Sequence, residues 1–295
     1  MRINAPLRSA REAASLSAAG ADGFYCGVCF PGRPDINNRP NVERFNLPDL
    51  QALARTIEAA HRLGRTVSVA VNKPSLDVAR ALAFMREAES LGADELIVSS
   101  LALLHALGRR RPSCRLSLSV TNPVFNREAL AFFRRYGVRK VCLPRHLSLD
   151  EIQALCRAKG DVEVEVFAMS GLCMNVEAYC GLPLCPGVRR SSGSEPCHYR
   201  WKSSPACRDL EVQLRSREWD CGLCALWRFR EMGVDSLKIE GRGDPLREKA
   251  AYTAAVRAML DVLDDPRVDR AAYVRRARRY FSAHAGPCRP EYCYY

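Results

Sequence analysis

Fourteen cysteines in 295 residues are the side chains of this sequence best suited to chemistry, and their spacing narrows the kind. Cys173, Cys180, Cys185 and Cys197 fall in one Gly/Pro/Ser-rich stretch with no helix or strand period. Two pairs have C-x2-C spacing, Cys26/Cys29 and Cys221/Cys224, and the last residues carry Cys288-x4-Cys293. Thiolate is a soft ligand that suits zinc and iron–sulfur clusters alike. Structural zinc favours close pairs. A [4Fe-4S] cluster places each thiolate on a different iron, so it tolerates wide steps such as Cys173-x6-Cys180-x16-Cys197. Spacing alone decides only weakly between a [4Fe-4S] cluster and zinc. A thioredoxin-like role is not expected, because Cys26 lies within a strand and Cys221 outside a βαβ unit. Cys114, Cys142 and Cys156 read as buried core residues.

The elements that position these residues follow from periodicity. Short apolar strands alternate with longer amphipathic helices, the pattern of parallel α/β units. The strand candidates are 2–5, 23–28, 66–71, 95–99, 115–120, 140–143, 162–167 and 236–239. Helices are expected over 9–19, 47–63, 77–91, 126–136, 148–158, 222–232, 245–263 and 269–283, most of them stopped by a glycine. Eight such strands predict a (β/α)8 TIM-like barrel. Nearly seventy residues separate the seventh strand from the eighth, and half of the cysteines lie there. The expected domains are a barrel over 1–265, with a cysteine-rich, cluster-binding insertion over 168–232, and a C-terminal helix with a Cys/Tyr tail over 266–295.

Barrel chemistry collects where strands end. The strand-end residues here are Cys26 and Cys29, Asn72, Ser99 and Ser100, Thr121 and Asn122, Arg145 and His146, Cys173, Glu240 and Arg242. Lys238, Glu240, Arg242 and Arg145 are the catalytic candidates. Alternation puts Lys238 and Glu240 on one face, and a strand-end Lys/Arg pair suits a carboxylate co-substrate. The competing reading of Lys238 and Glu240 is a structural ion pair inside the barrel.

The motifs also carry a family resemblance. The segment EVFAMSGLCMNVEAYC, followed by PCHYRWK, resembles the cysteine region of the collagenase-like peptidase family, peptidase family U32. DSLKIEGR over 235–242 resembles its second hallmark. RINAP, VNKPSL and LPRHLSLDEI match more weakly and in order, so the resemblance covers about residues 1–260. It implies a barrel-like fold and a [4Fe-4S] cluster on four cysteines. The spacing of Cys173, Cys180 and Cys197 is similar to that of the UbiU-type iron–sulfur members, which work as pairs of related proteins. By the same resemblance the fourth ligand precedes the helix leading into KIEGR. Keeping Leu223, Leu226 and Phe229 inward places Cys221 there, with Cys224 one turn further on as the alternative.

What the resemblance implies for activity is O2-independent hydroxylation of a small-molecule or RNA substrate, with prephenate as oxygen donor. A non-catalytic accessory subunit, paired with a related partner as a heterodimer, is the alternative. A peptidase or peptide-modifying enzyme is the second alternative, although neither G-x-S-x-G nor H-E-x-x-H occurs. A cysteine nucleophile paired with His198 is the remaining route to it. The sequence departs from the family pattern at Met169, where a His is usual, at His146, where a Glu is usual, and at Gly193, where a cysteine is usual. The cysteines outside the family pattern, Cys207, Cys224, Cys288 and Cys293, are expected either to hold another metal or to pin the tail over the barrel mouth.

A net charge of +12 admits RNA, a small anion or an acidic partner. The Arg-rich runs read as solvated faces, so RNA is not the favoured expectation from charge alone. No run approaches the ~18 apolar residues of a membrane span. The opening residues lack the apolar core of a secretory signal, so a cytoplasmic chain is expected. There, disulfides are a poor explanation for so many cysteines.

Overall fold

The structure is a computed structural model. It describes residues 1–30, 32, 35–38, 43–108, 112–171, 177, 220–290 and 293–295, together with the backbone of two strands at 198–201 and 210–213. Ten strands are present among these: β1 Arg2–Pro6, β2 Gly23–Cys26, β3 Thr66–Val71, β4 Glu95–Val98, β5 Arg115–Leu118, β6 Val138–Cys142, β7 Glu163–Met169, β8 His198–Trp201, β9 Leu210–Gln213 and β10 Ser236–Ile239. Eight close into a parallel barrel in the order β1-β10-β7-β6-β5-β4-β3-β2, while β8 and β9 form an antiparallel pair inside the long insertion. Each predicted barrel strand is found within a few residues of its expected place. The (β/α)8 reading of the sequence is the fold of the protein.

The helices are α1 Ala13–Ala18, α2 Leu50–Arg62, α3 Val78–Ser90, α4 Leu101–Leu107, α5 Arg127–Arg135, α6 Leu149–Ala158, α7 Leu226–Met232, α8 Leu246–Leu263 and α9 Arg270–His284. Their starts are written in the sequence. Asp49, Asp77, Ser100, Asn126 and Asp269 each accept a backbone N–H of the first turn, and Ser148 forms a capping box with Glu151. Leu47, expected in a helix, instead bridges Val28, because Pro48 and the Asp49 cap delay α2 to Leu50.

Two apolar layers result. Val67, Val69, Leu96, Val98, Val164, Val166 and Leu237 face outward onto the helices and are almost wholly buried there. The lumen carries the other parity, and much of it is polar: Asn4, Ser68, Glu95, Lys140, Glu165, Ser236 and Lys238 are all buried. No helix among the described residues is long and apolar enough to cross a membrane.

Candidate functional site

The lumen is held by charge. Glu165 on β7 receives Lys238 Nζ at 3.1 Å, Lys140 Nζ at 3.3 Å, Asn4 Nδ2 at 3.0 Å and Ser236 Oγ at 3.4 Å. Lys140 also donates to Glu95 at 2.7 Å, which in turn accepts Ser68 Oγ at 2.9 Å. Burial alone would raise the Glu165 pKa. Lys140, Lys238 and Asn4 outweigh it and hold the carboxyl well below the usual range. Burial pulls Lys238 the other way, and Glu165 keeps its ammonium above the ordinary lysine value. Lys238 therefore belongs to the lumen network, with its ammonium 4.5 Å from the centre of the Tyr25 ring.

Lys238 pairs with Glu165, and Glu240 with Arg145. The β10–β7 register shifts between Lys238 and Ile239, and just beyond it Glu240 pairs with Arg145 at the C-terminal mouth. Arg145 also holds Glu177, through Nη1 at 2.7 Å and its backbone N at 2.8 Å, and stacks 3.8 Å above the Phe167 ring. Glu177 lies within the cysteine segment and escaped the sequence reading, since only its distance from Arg145 marks it. Burial, then the Glu240 charge, raises its pKa against the pull of Arg145, which favours a proton on this carboxyl.

Two tyrosines roof this cluster. Tyr294 packs on Phe167 and Cys142 and donates to the Ser170 carbonyl, while Tyr295 donates to the Phe167 carbonyl at 3.1 Å. Arg242, the last residue of KIEGR, is buried beside Tyr25 and Cys26. Next to it Gly27 leaves a gap that no larger residue can use: a Cβ there would lie 2.5 Å from Asn46 Oδ1 and 2.6 Å from Arg242 Nη1. Gly27→Ala is expected to cost about 1–3 kcal/mol by overpacking. A denaturation midpoint equal to wild type would show that Asn46 and Arg242 yield freely.

The opposite side of the mouth carries amides and hydroxyls. Thr121 Oγ1 lies 3.0 Å from both Ser99 Oγ and Ser119 Oγ, and Asn72 Nδ2 donates to Ser119 Oγ at 2.9 Å. Asn122 Nδ2 donates to the Ser99 carbonyl at 2.7 Å. Asn38 N donates to Asn72 Oδ1 at 3.1 Å, and the adjacent Asn37 reaches the Gly27 corner. Residues 35–38 thus link the amide–hydroxyl wall to the Arg242 side.

Of the expected cluster ligands, Cys173, Cys180 and Cys197 lie outside the described residues, as do Cys185 and Cys207. Cys221 and Cys224 are described. Cys221 forms an antiparallel bridge with Met169 at the end of β7, and its Sγ accepts Leu223 N at 3.5 Å. Ser170 N donates to the Asp220 carbonyl at 2.9 Å. Here the chain turns through two left-handed residues, Ser170 (φ 66°) and Gly171 (φ 75°); Ser170 is the non-glycine residue with positive φ among those described. Such a conformation is costly for serine and marks a constrained exit from the barrel. Cys26 and Cys29 are buried against the barrel wall, with Cys26 pushed up to about 12 by burial. Every described thiol with a shifted pKa is shifted upward, burial being the largest cause, so none of these is an activated nucleophile.

The sequence profile of peptidase family U32 matches residues 8–290. The chain belongs to peptidase family U32. This U32 chain is 32% identical over 211 residues to the tRNA hydroxylation protein P of Escherichia coli K12, covering 70% of this chain and 42% of the relative. It is 26% identical over 280 residues to the 23S rRNA 5-hydroxycytidine C2501 synthase of the same organism, covering 91% of this chain and 40% of that one. The U32 chain thus spans less than half the length of these two relatives. Its fold is similar to that of the U32 peptidase Mk0906, with a TM-score of 0.53 at 15% identity, covering 83% of this chain and 94% of the other.

Proposed function

We propose that this U32 chain takes part in O2-independent hydroxylation of RNA. The observation that carries the reading is the divided mouth. A wall of amides and hydroxyls, Asn72, Ser99, Ser119, Thr121 and Asn122, adjoins a charged half built on Arg242, Arg145, Glu177 and Glu240. Uncharged donors and acceptors suit the edge of a base, and a buried guanidinium suits a phosphate or carboxylate. The relatives named for hydroxylating transfer and ribosomal RNA support RNA over a small molecule.

In this reading Arg145 is a positioning residue. Two carboxylates already hold it, and stacking on Phe167 fixes its plane. Glu177, whose pKa is raised by burial, braces Arg145 from the side opposite Glu240. Arg242 binds and orients the anionic group of a carboxylate oxygen donor of the prephenate class. Tyr294 and Tyr295 exclude water from the floor of the mouth.

The same reading places a [4Fe-4S] cluster on Cys173, Cys180, Cys197 and Cys221, with Cys224 as the alternative fourth ligand. The donor chemistry fits. Cys221 lies across from Met169, and Cys173 follows Gly171 by two residues, a reach of at most about 7 Å. A buried thiol pushed up to about 12 stays neutral until a metal displaces its proton. When bound, such a cluster supplies electron transfer or a rigid anchor for the insertion.

The test is isotopic. Anaerobically purified protein, given RNA and prephenate labelled at the transferable oxygen, should place the label in a modified nucleoside. Arg242→Gln should weaken use of the acid roughly 10–100-fold, the worth of one charge-assisted bond, with the denaturation midpoint little changed. Label arriving from water or O2, or unlabelled RNA, would overturn the proposal.

A further inference from the structure

We propose that the outward face of α9, from Arg275 to Arg279 with the Tyr280–His284 ring stack beyond it, is a docking strip for single-stranded RNA that leads to the mouth. The inference rests on RNA as the substrate and adds where the strand outside the mouth is held. Helix α9 reads RAAYVRRARRYFSAH and contains no Asp or Glu. Its buried residues Tyr273, Ala277 and Phe281 recur every four positions and face the fold, so Arg275, Arg276 and Arg279 lie exposed on the other side. Arg275 and Arg276 each stand about one turn from Arg279, a spacing at which like charges destabilise a helix. The helix dipole favours cations within the last turn, which all three precede.

The Arg-rich run on α5 is different. Arg134 Nε lies 2.7 Å from Asp161, and the Arg135 guanidinium lies 5.3 Å from the centre of the Phe132 ring. On α9, Arg278 turns toward Cys224. Asp265 feels the charge of Arg276 but is already held by Arg267 at 2.9 and 3.1 Å. Among the described residues Arg275, Arg276 and Arg279 have no ion-pair partner. A second observation gives the class of the ligand. The exposed His284 stacks on Tyr280 with ring centres 4.2 Å apart and 18° between the planes. Its Nδ1 donates to the Tyr280 carbonyl at 2.8 Å, which fixes the ring. A held aromatic pair beside guanidinium groups offers bases a stacking face and phosphates a charge partner, the combination that single-stranded RNA takes. A lipid surface or an acidic protein needs the charge alone. The topology aims the strip. Helix α8 leaves the mouth end of β10, α9 packs back against it, and the chain after His284 returns to Cys221, whose carbonyl accepts Tyr294 N at 3.0 Å. The C-terminal end of α9 therefore faces the mouth that Tyr294 and Tyr295 roof.

The experiment is fluorescence anisotropy on the full chain with a labelled single-stranded RNA of about twelve nucleotides, without oxygen donor, from about 50 to 200 mM salt. R275Q/R276Q/R279Q should weaken binding roughly 10-fold or more and make the slope of log affinity against log salt shallower by about two. R127Q/R134Q/R135Q removes the same charge from α5 and should change affinity by about twofold at most. His284→Ala should weaken binding roughly 5-fold and leave the salt slope as it is. The denaturation midpoint of the α9 triple variant should not fall. The proposal is overturned if wild type binds no RNA, if the two triple variants lose affinity equally, if His284→Ala binds as wild type does, or if the α9 triple variant is destabilised. Wild type that binds phosphatidylserine vesicles and not RNA would give this face to a membrane and overturn it too. RNA that binds through α9 but receives no labelled oxygen would sink the hydroxylation reading alone; labelled RNA with the α9 triple variant at full affinity would sink this one alone.

Discussion

Glu165→Gln is expected to destabilise the barrel by about 3–5 kcal/mol, the cost of removing one partner from a buried ion network. The substitution keeps the shape of the side chain but removes its charge and turns one acceptor oxygen into a donor. Glu165 is fully buried and is the carboxylate that Lys238 and Lys140 share. Without it, Lys140 and Lys238 have only Glu95 between them, and Lys238 is left to the Tyr25 ring and the barrel wall. The pH dependence has a definite sign. The folded pKa of Glu165 is depressed, so its contribution is present above the ordinary value of 4.5 and is lost as pH falls. The folded pKa of Lys238 is raised, so its contribution is present below 10.5 and is lost as pH climbs through the higher folded value. The gap in stability between wild type and Glu165→Gln should therefore be widest between these limits and narrow in acid. The pair Glu165→Met with Lys238→Met should recover part of the loss, because an apolar pair of similar volume leaves no uncompensated charge. Urea unfolding across pH checks all three statements. A pH-independent difference of under 1 kcal/mol would show that water reaches the lumen and solvates the lysines.

The barrel was legible because caps, helix-ending glycines and apolar strand runs agree with one another along the chain. Helix α4 was not: LALLHAL is seven residues long and apolar on most sides, so no period separates it from a buried strand. The polar lumen was hidden for a related reason. In β7 the alternation of valine and glutamate looks like any half-buried strand, whereas in a closed barrel the valines pack on helices and Glu165 points inward. The competing reading of a Lys238–Glu240 ion pair rests on strict two-residue alternation, which the register shift at Lys238/Ile239 interrupts. Arg145 and Arg242 could be named from strand ends. Glu177 and the tyrosine roof could not, since each acts through contacts made across more than thirty residues of chain.

On the proposed ligation, Cys173→Ala and Cys180→Ala are each expected to abolish a [4Fe-4S] cluster, with loss of its visible absorption, of stoichiometric iron and sulfide, and of the proposed RNA hydroxylation. Each ligand holds its own corner of a cubane, and a missing thiolate exposes that iron to solvent, so the effect is close to complete. Cys114→Ala is the control. Its thiol is pushed up to about 12, burial first and Glu89 next, and it lies at the start of β5, on the N-terminal face opposite the mouth. It should keep full iron. The pair Cys221→Ala and Cys224→Ala then decides the fourth corner. Cys221 bridges Met169, beside the exit toward Cys173, whereas Cys224 turns toward Arg278 on α9. Loss of iron in Cys221→Ala with retention in Cys224→Ala is the expected outcome. The reverse result would move the fourth ligand one helical turn along the chain, to Cys224. Stoichiometric zinc with no iron in wild type protein, purified without oxygen and reduced for EPR, would overturn the proposed cluster in favour of the alternative metal.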